Sequence, residues 1–176
     1  STVINIDSVD IYDAPNPAGN LISRMVESAT VYVRSTVTDP FGFADINNDS
    51  AVEVLDSSGV PVSGPYPQTN VLSESGNTKV FEYAVPLPAD WQDGPYTLRV
   101  RANEGTEGTV SHYNAASIEV TGPPLLMVSK LANSPSASPG DDIDYQVLVS
   151  NTHVLGTGDA INVLVSDKLP AFKAKA

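Results

Sequence analysis

Ala29–Thr38 reads "ATVYVRSTVT", and its alternation decides the fold. Val31, Val33, Ser35 and Val37 fall on one side of an extended chain, with Tyr32, Arg34 and Thr36 on the other. A period of two belongs to a β-strand, because successive Cβ atoms point to opposite faces. β-Branched residues crowd one side, as a half-buried strand favours. The same style continues outward. Ser50–Asp56, "SAVEVLD", aligns Val52 with Val54, and Ser57-Ser58-Gly59 turns the chain into Val60-Pro61-Val62. Lys79–Pro86 sets Phe81, Tyr83 and Val85 on one face. Gly94–Asn103, "GPYTLRVRAN", points Tyr96, Leu98, Val100 and Ala102 inward, and Ser117–Val120 makes a last short strand. In "STVINIDSVDIY", Ser1–Tyr12, the parity changes between Ile4/Ile6 and Val9/Ile11, which predicts a bulge or a strand that changes sheets. Ser63–Lys79 is polar and rich in Pro, Ser, Asn and Gly, and reads as a loop with one short strand around Val71-Leu72.

No sustained helical period interrupts this pattern. About seven short strands joined by Gly/Pro turns predict an all-β sandwich. Thr121–Leu126, "TGPPLL", marks a boundary, since two consecutive prolines stiffen the chain and offer no strand donors. The expected domains are therefore 1–122 and 123–176.

Composition narrows the partners. Lys plus Arg number 9 against 21 for Asp plus Glu, a net charge of -12. Nucleic acid and anionic membranes both require basic patches, so neither is an expected partner. No apolar run approaches the ~20 residues of a membrane helix, so no membrane insertion is expected. The chain has no cysteine, which removes disulfides, zinc–thiolate sites and thiol nucleophiles. Disulfides are common in secreted vertebrate domains, so their absence points to a bacterial or archaeal source.

Two local patterns carry a family likeness. "DGPYTLRV", Asp93–Val100, places a Tyr at the start of a late strand, where its hydroxyl can return to the preceding corner. Together with "VYVRSTVTDPFGFADI", Val31–Ile46, in which Asp39-Pro40-Phe41-Gly42 forms the turn, it is similar to bacterial immunoglobulin-like surface modules. The last third resembles the start of a DUF11 repeat over residues 125–170. Lys130 lies on a first strand, Pro139-Gly140-Asp141 forms a turn, Tyr145–Asn151 a second strand, and Asp167-Lys168-Leu169-Pro170 follows. The resemblance implies tandem immunoglobulin-like β-sandwiches, the second incomplete, in a secreted or surface-anchored protein, and it brings no active site. Two outcomes are expected for the incomplete half. Either it belongs to a longer protein, or a strand from another subunit completes it, with Thr2–Tyr12 as the donor and a filament as the product.

Few residues carry chemistry. Asp45, Asn47, Asp49, Glu53 and Asp56 stand at positions 1, 3, 5, 9 and 12 of a calcium loop, an oxygen-donor spacing suited to Ca²⁺. Position 6 is Ser50 where such a loop wants Gly, and the competing reading is a polar loop with Asx turns. Trp91, beside Pro95 and Tyr96, either forms an aromatic shelf for sugar or plugs one end of the sandwich. Lys130 either joins Asn151 or Asp144 in a crosslink or faces solvent. The two histidines, His112 and His153, lie outside metal-ligand spacing, and no G-x-S-x-G elbow is present. The expected function is a non-catalytic extracellular module, a stalk, spacer or filament subunit. It would meet other protein modules or copies of itself through strand edges. The alternative is a module that binds carbohydrate or protein.

Overall fold

The computed structural model describes residues 4–89, 91–105, 111–138, 140–152, 158, 160 and 163–167. Thr2, Pro139, His153 and Lys168-Leu169-Pro170 of the sequence reading lie outside these residues. The chain divides into two compact units, Ser1–Gly122 and Pro123–Ala176.

Among the described residues, nine strands build the first unit. They are β1 (Asn5–Tyr12), β2 (Arg24–Val26), β3 (Thr30–Thr38), β4 (Ala51–Leu55), β5 (Pro61–Pro67), β6 (Asn70–Ser75), β7 (Thr78–Pro86), β8 (Gly94–Asn103) and β9 (Ser111–Thr121). One sheet has the order β1-β3-β7-β6 and the other β2-β9-β8-β4-β5. All pairs are antiparallel except β2 with β9. This is an all-β sandwich. Its strand order is that of an immunoglobulin-type fold, with β1 at the edge of one sheet and β2 at the edge of the other.

Alternation explains the core. Val31, Val33, Val37, Phe81, Tyr83 and Val85 from one sheet meet Val52, Val54, Leu98, Val100, Ile118 and Val120 from the other, all buried. A buried polar bridge joins the sheets. The Tyr83 hydroxyl lies 3.1 Å from Ser35 Oγ and also contacts Ser50 Oγ, which donates to the Arg101 carbonyl at 2.7 Å. Every hydroxyl therefore has a partner, as burial demands. The parity change near the N-terminus is a register shift between Ile6 and Ser8.

The loop expected over Ser63–Lys79 is mostly strand: β6 contains the short strand expected around Val71-Leu72, and β5 carries the strand entered at Val60-Pro61-Val62 on to Pro67. β5 and β6 occupy it, separated by only two residues. Both run along sheet edges and expose most of their side chains, so neither carries an apolar alternation. Pro61, Pro65 and Pro67 are tolerated because an edge strand need not donate on its free side. β9 likewise begins earlier than Ser117, pairing with β8 from Ser111 onward.

Glu82 points away from the core and is nonetheless buried. Arg34 Nε binds its Oε2 at 3.0 Å, the Asn16 backbone N–H donates to the same oxygen at 2.8 Å, and Arg34 also donates to the Ala14 and Ala18 carbonyls. One ion pair thereby fastens the β1–β2 connection onto the outer face of the sheet.

In the second unit, β10 (Leu126–Ala132) and β11 (Tyr145–Asn151) form an antiparallel pair. All seven residues of β10 are exposed.

Candidate functional sites

Carboxylates collect at one pole of the first sandwich. β3 ends at Thr38, and Asp39-Pro40-Phe41-Gly42 turns the chain, with Gly42 N–H donating to the Asp39 carbonyl at 3.1 Å. The Asp39 side chain caps its own turn, its Oδ1 accepting from Phe41 N–H at 2.7 Å. Gly42 has φ 116, a conformation that disfavours any side chain. A short 3-10 turn, Phe43–Asp45, then delivers Asp45. β8 ends beside it, through the bridge between Ile46 and Glu104 and a 2.7 Å bond from Gly105 N–H to the Asp45 carbonyl. The result is a triad in which carboxylate oxygens of Asp39, Asp45 and Glu104 lie within 4.8 Å of one another. Asp39 is wholly buried and Glu104 nearly so.

The loop suggested by spacing is distributed differently. Asp45 joins the triad, and Asn47 stands at its rim, donating to the Glu104 carbonyl at 3.2 Å. Asp49 Oδ2 accepts from Asn103 at 2.7 Å, Glu53 pairs with Arg99 at 2.6 Å, and Asp56 Oδ1 accepts the N–H groups of Ser58 and Val60 in an Asx turn. The physical reason is that Ser50 enters the core and β4 starts at once. An extended strand rises about 3.3 Å per residue and draws Glu53 and Asp56 away. The sequence reading took Asp39 only as a turn residue and missed Glu104. Glu104 lies far along the chain from Asp39 and Asp45, so no local spacing could reveal it.

Trp91 marks the opposite pole. Its ring stacks on Tyr96 with centroids 4.4 Å apart at 19°, and it packs against the core. Tyr96 returns its hydroxyl to the Gln92 carbonyl at 2.9 Å, the corner bond expected from the sequence. Trp91 therefore plugs the sandwich, and also lines a cleft of about 380 Å³ with Asp56, Val62, Asp93 and Pro95.

Lys130, in the second unit, binds Asp167 at 2.7 Å and lies over the Tyr145 ring at 4.3 Å. Asp144 is instead bonded to Asn133, and Asn151 to the Gly158 carbonyl. Neither expected crosslink partner contacts Lys130 through these bonds.

No protein-family model and no curated protein matches the chain. Among solved structures, it is similar to the C-terminal domain of wzt, at 16% identity and a TM-score of 0.50, covering 67% of this chain and 73% of that one. A family 123 glycoside hydrolase from Clostridium perfringens matches at 11% identity and a TM-score of 0.35, covering 69% of this chain and 27% of that one. The first likeness is one of fold, and the second is too distant to bear on fold or activity. Among the described residues no helix is long and apolar enough to cross a membrane.

Proposed function

We propose that the chain is a non-catalytic structural module of an extracellular prokaryotic protein, secreted or on the surface, acting as a stalk or spacer. One observation carries this reading: the first sandwich receives the chain at one pole and releases it at the other. β1 begins opposite the end of β3, with Asn5 paired to Thr38 beside the carboxylate pole. β9 ends opposite the start of β8, with Val120 paired to Gly94, and Gly122 N–H donates to Asp93 at 3.0 Å at the Trp91 pole. Modules threaded in this way add length with each repeat. The resemblance to tandem surface modules supports the same role.

The exposed apolar side chains of β10 and β11 suit contacts with further modules or copies of the chain. Donation of the first strand is a poorer route. β1 already pairs with β3, and Ile6 and Ile11 are buried in its own core. Light scattering on the purified chain tests the proposal. A monomer whose second unit is cleaved first by protease is expected. A filament that dissolves into folded monomers when Asn5–Tyr12 is deleted would replace this reading with strand donation.

A second reading rests on the cleft beside Trp91, whose exposed edge and neighbouring Asp56 and Asp93 can line a sugar site. A glycan screen decides it. Binding that is lost in a folded Trp91→Ala variant supports a carbohydrate-binding module, and no binding by the parent chain removes it.

A further inference from the structure

Two of the three carboxylates at this pole bury an oxygen that stands alone among the described residues. Asp39 Oδ2 and Glu104 Oε1 are both buried and have no hydrogen-bond partner among the described residues. Neither residue belongs to an ion pair among the described residues. The nearby buried cation is otherwise occupied. Lys79 Nζ donates to the Ile46 carbonyl at 2.8 Å and to Asn48 Oδ1 at 2.9 Å, and pairs with Glu74 at 3.1 Å, so its three N–H donors are assigned. Buried carboxylates facing one another repel and lose hydration, and such an arrangement persists only if something neutralises it.

From this geometry we infer that Asp39, Asp45 and Glu104 bind a calcium ion. The donors are hard oxygens only, which suits Ca²⁺ and excludes a thiolate or imidazole metal centre. Three oxygens within 4.8 Å of one another stand at most about 2.8 Å from a common centre, so calcium–oxygen bonds of about 2.3–2.6 Å need the side chains to close in by no more than about 0.5 Å. A Cβ placed on Gly105 would meet Asn47 Oδ1 at 2.9 Å and the Asp45 carbonyl at 3.2 Å, which shows how tightly backbone and oxygens converge there. The ion would clip the β3–β4 connection to the end of β8, joining the two sheets at the pole where the chain enters. It differs from the local loop of Asp45 to Asp56, because its ligands come from both sheets and Glu53 and Asp56 take no part.

The test uses the whole chain after treatment with a chelator. Calorimetric titration with CaCl2 should show one site, with a Kd on the order of 10⁻⁴ M as in other extracellular modules. Calcium at about a hundredfold Kd should raise the melting temperature by about 10 °C. Glu104→Gln keeps the side chain's shape and removes one repelling charge. It should fold in chelator at least as stably as the parent and lose affinity by about tenfold or more. Glu53→Gln should keep the parent's calcium response. The inference is overturned if the parent binds no calcium, if Glu104→Gln responds like the parent, or if Glu53→Gln abolishes binding. Magnesium giving an equal shift at equal concentration would overturn the choice of ion. The parent titration stands even if a variant fails to fold.

Discussion

The two units share one sequence style and differ in what it buries. In β3, Val31, Val33 and Val37 alternate with polar residues and are fully buried. In β11, Tyr145, Val147 and Val149 share one face, with Gln146, Leu148 and Ser150 on the other, yet Tyr145 and Val147 remain exposed. β10 exposes Leu126, Met127, Val128 and Leu131. Alternation therefore makes a strand, and a core arises only when a second sheet covers the apolar face. Two strands alone are marginal in water. The first unit has nine strands in two layers, while the described part of the second has two.

Paired substitutions sharpen this contrast. Phe81→Ala, at the centre of the first core, should cost about 3–5 kcal/mol in urea unfolding of that unit. A loss below about 1 kcal/mol would mean that this core is loosely packed. Tyr96→Phe removes the corner bond to Gln92 and should cost about 1–1.5 kcal/mol with little change in the Trp91 environment by fluorescence.

The buried phenol of Tyr83 gives the first unit a pH signature. Burial pushes Tyr83 above its ordinary value of 10.0, against the opposing pull of bonds from Ser35 and Ser50. Above about pH 10 the unfolded chain has released this proton while the folded chain retains it. The unfolded state then binds fewer protons, so stability falls as pH rises and shows no such slope below that point. Thermal melts at about pH 9 and about pH 11 measure it, and Tyr83→Phe should flatten the decline. The smallest effect belongs to the hairpin. Leu148→Ala, exposed on β11, should change stability by less than about 0.5 kcal/mol. A large loss there would show that the second unit possesses a core of its own.

The legible parts of the sequence were those with one wet and one dry face. β3, β7 and β8 announce themselves through Val31–Val37, Phe81–Val85 and Tyr96–Ala102. The corner bond of Tyr96 was legible too, because turn and strand residues are adjacent. Most of β5 was hidden because an edge strand with solvent on several sides has no period to display, and β6 showed only as the short strand around Val71-Leu72. The carboxylate triad was half hidden. Asp45 drew notice through its neighbours, while Asp39 read only as a turn residue and Glu104, one residue past the expected strand Gly94–Asn103, drew none. Only the pairing of β8 with β4, and the bridge from Ile46 to Glu104, brings them together.

The opposite poles at which β1 begins and β9 ends also set how the molecule answers tension. Pulling between these poles acts along the strands, and the β1–β3 hydrogen bonds lie across that line. They are loaded together, in shear, and must yield as a group. The hairpin is built the other way. Leu126, where β10 begins, pairs with Asn151, where β11 ends, so pulling at its two ends opens one rung after another. Single-molecule extension should show the second unit opening at low load and the first at high load. A first unit that yields as readily as the hairpin would remove shear loading as the explanation.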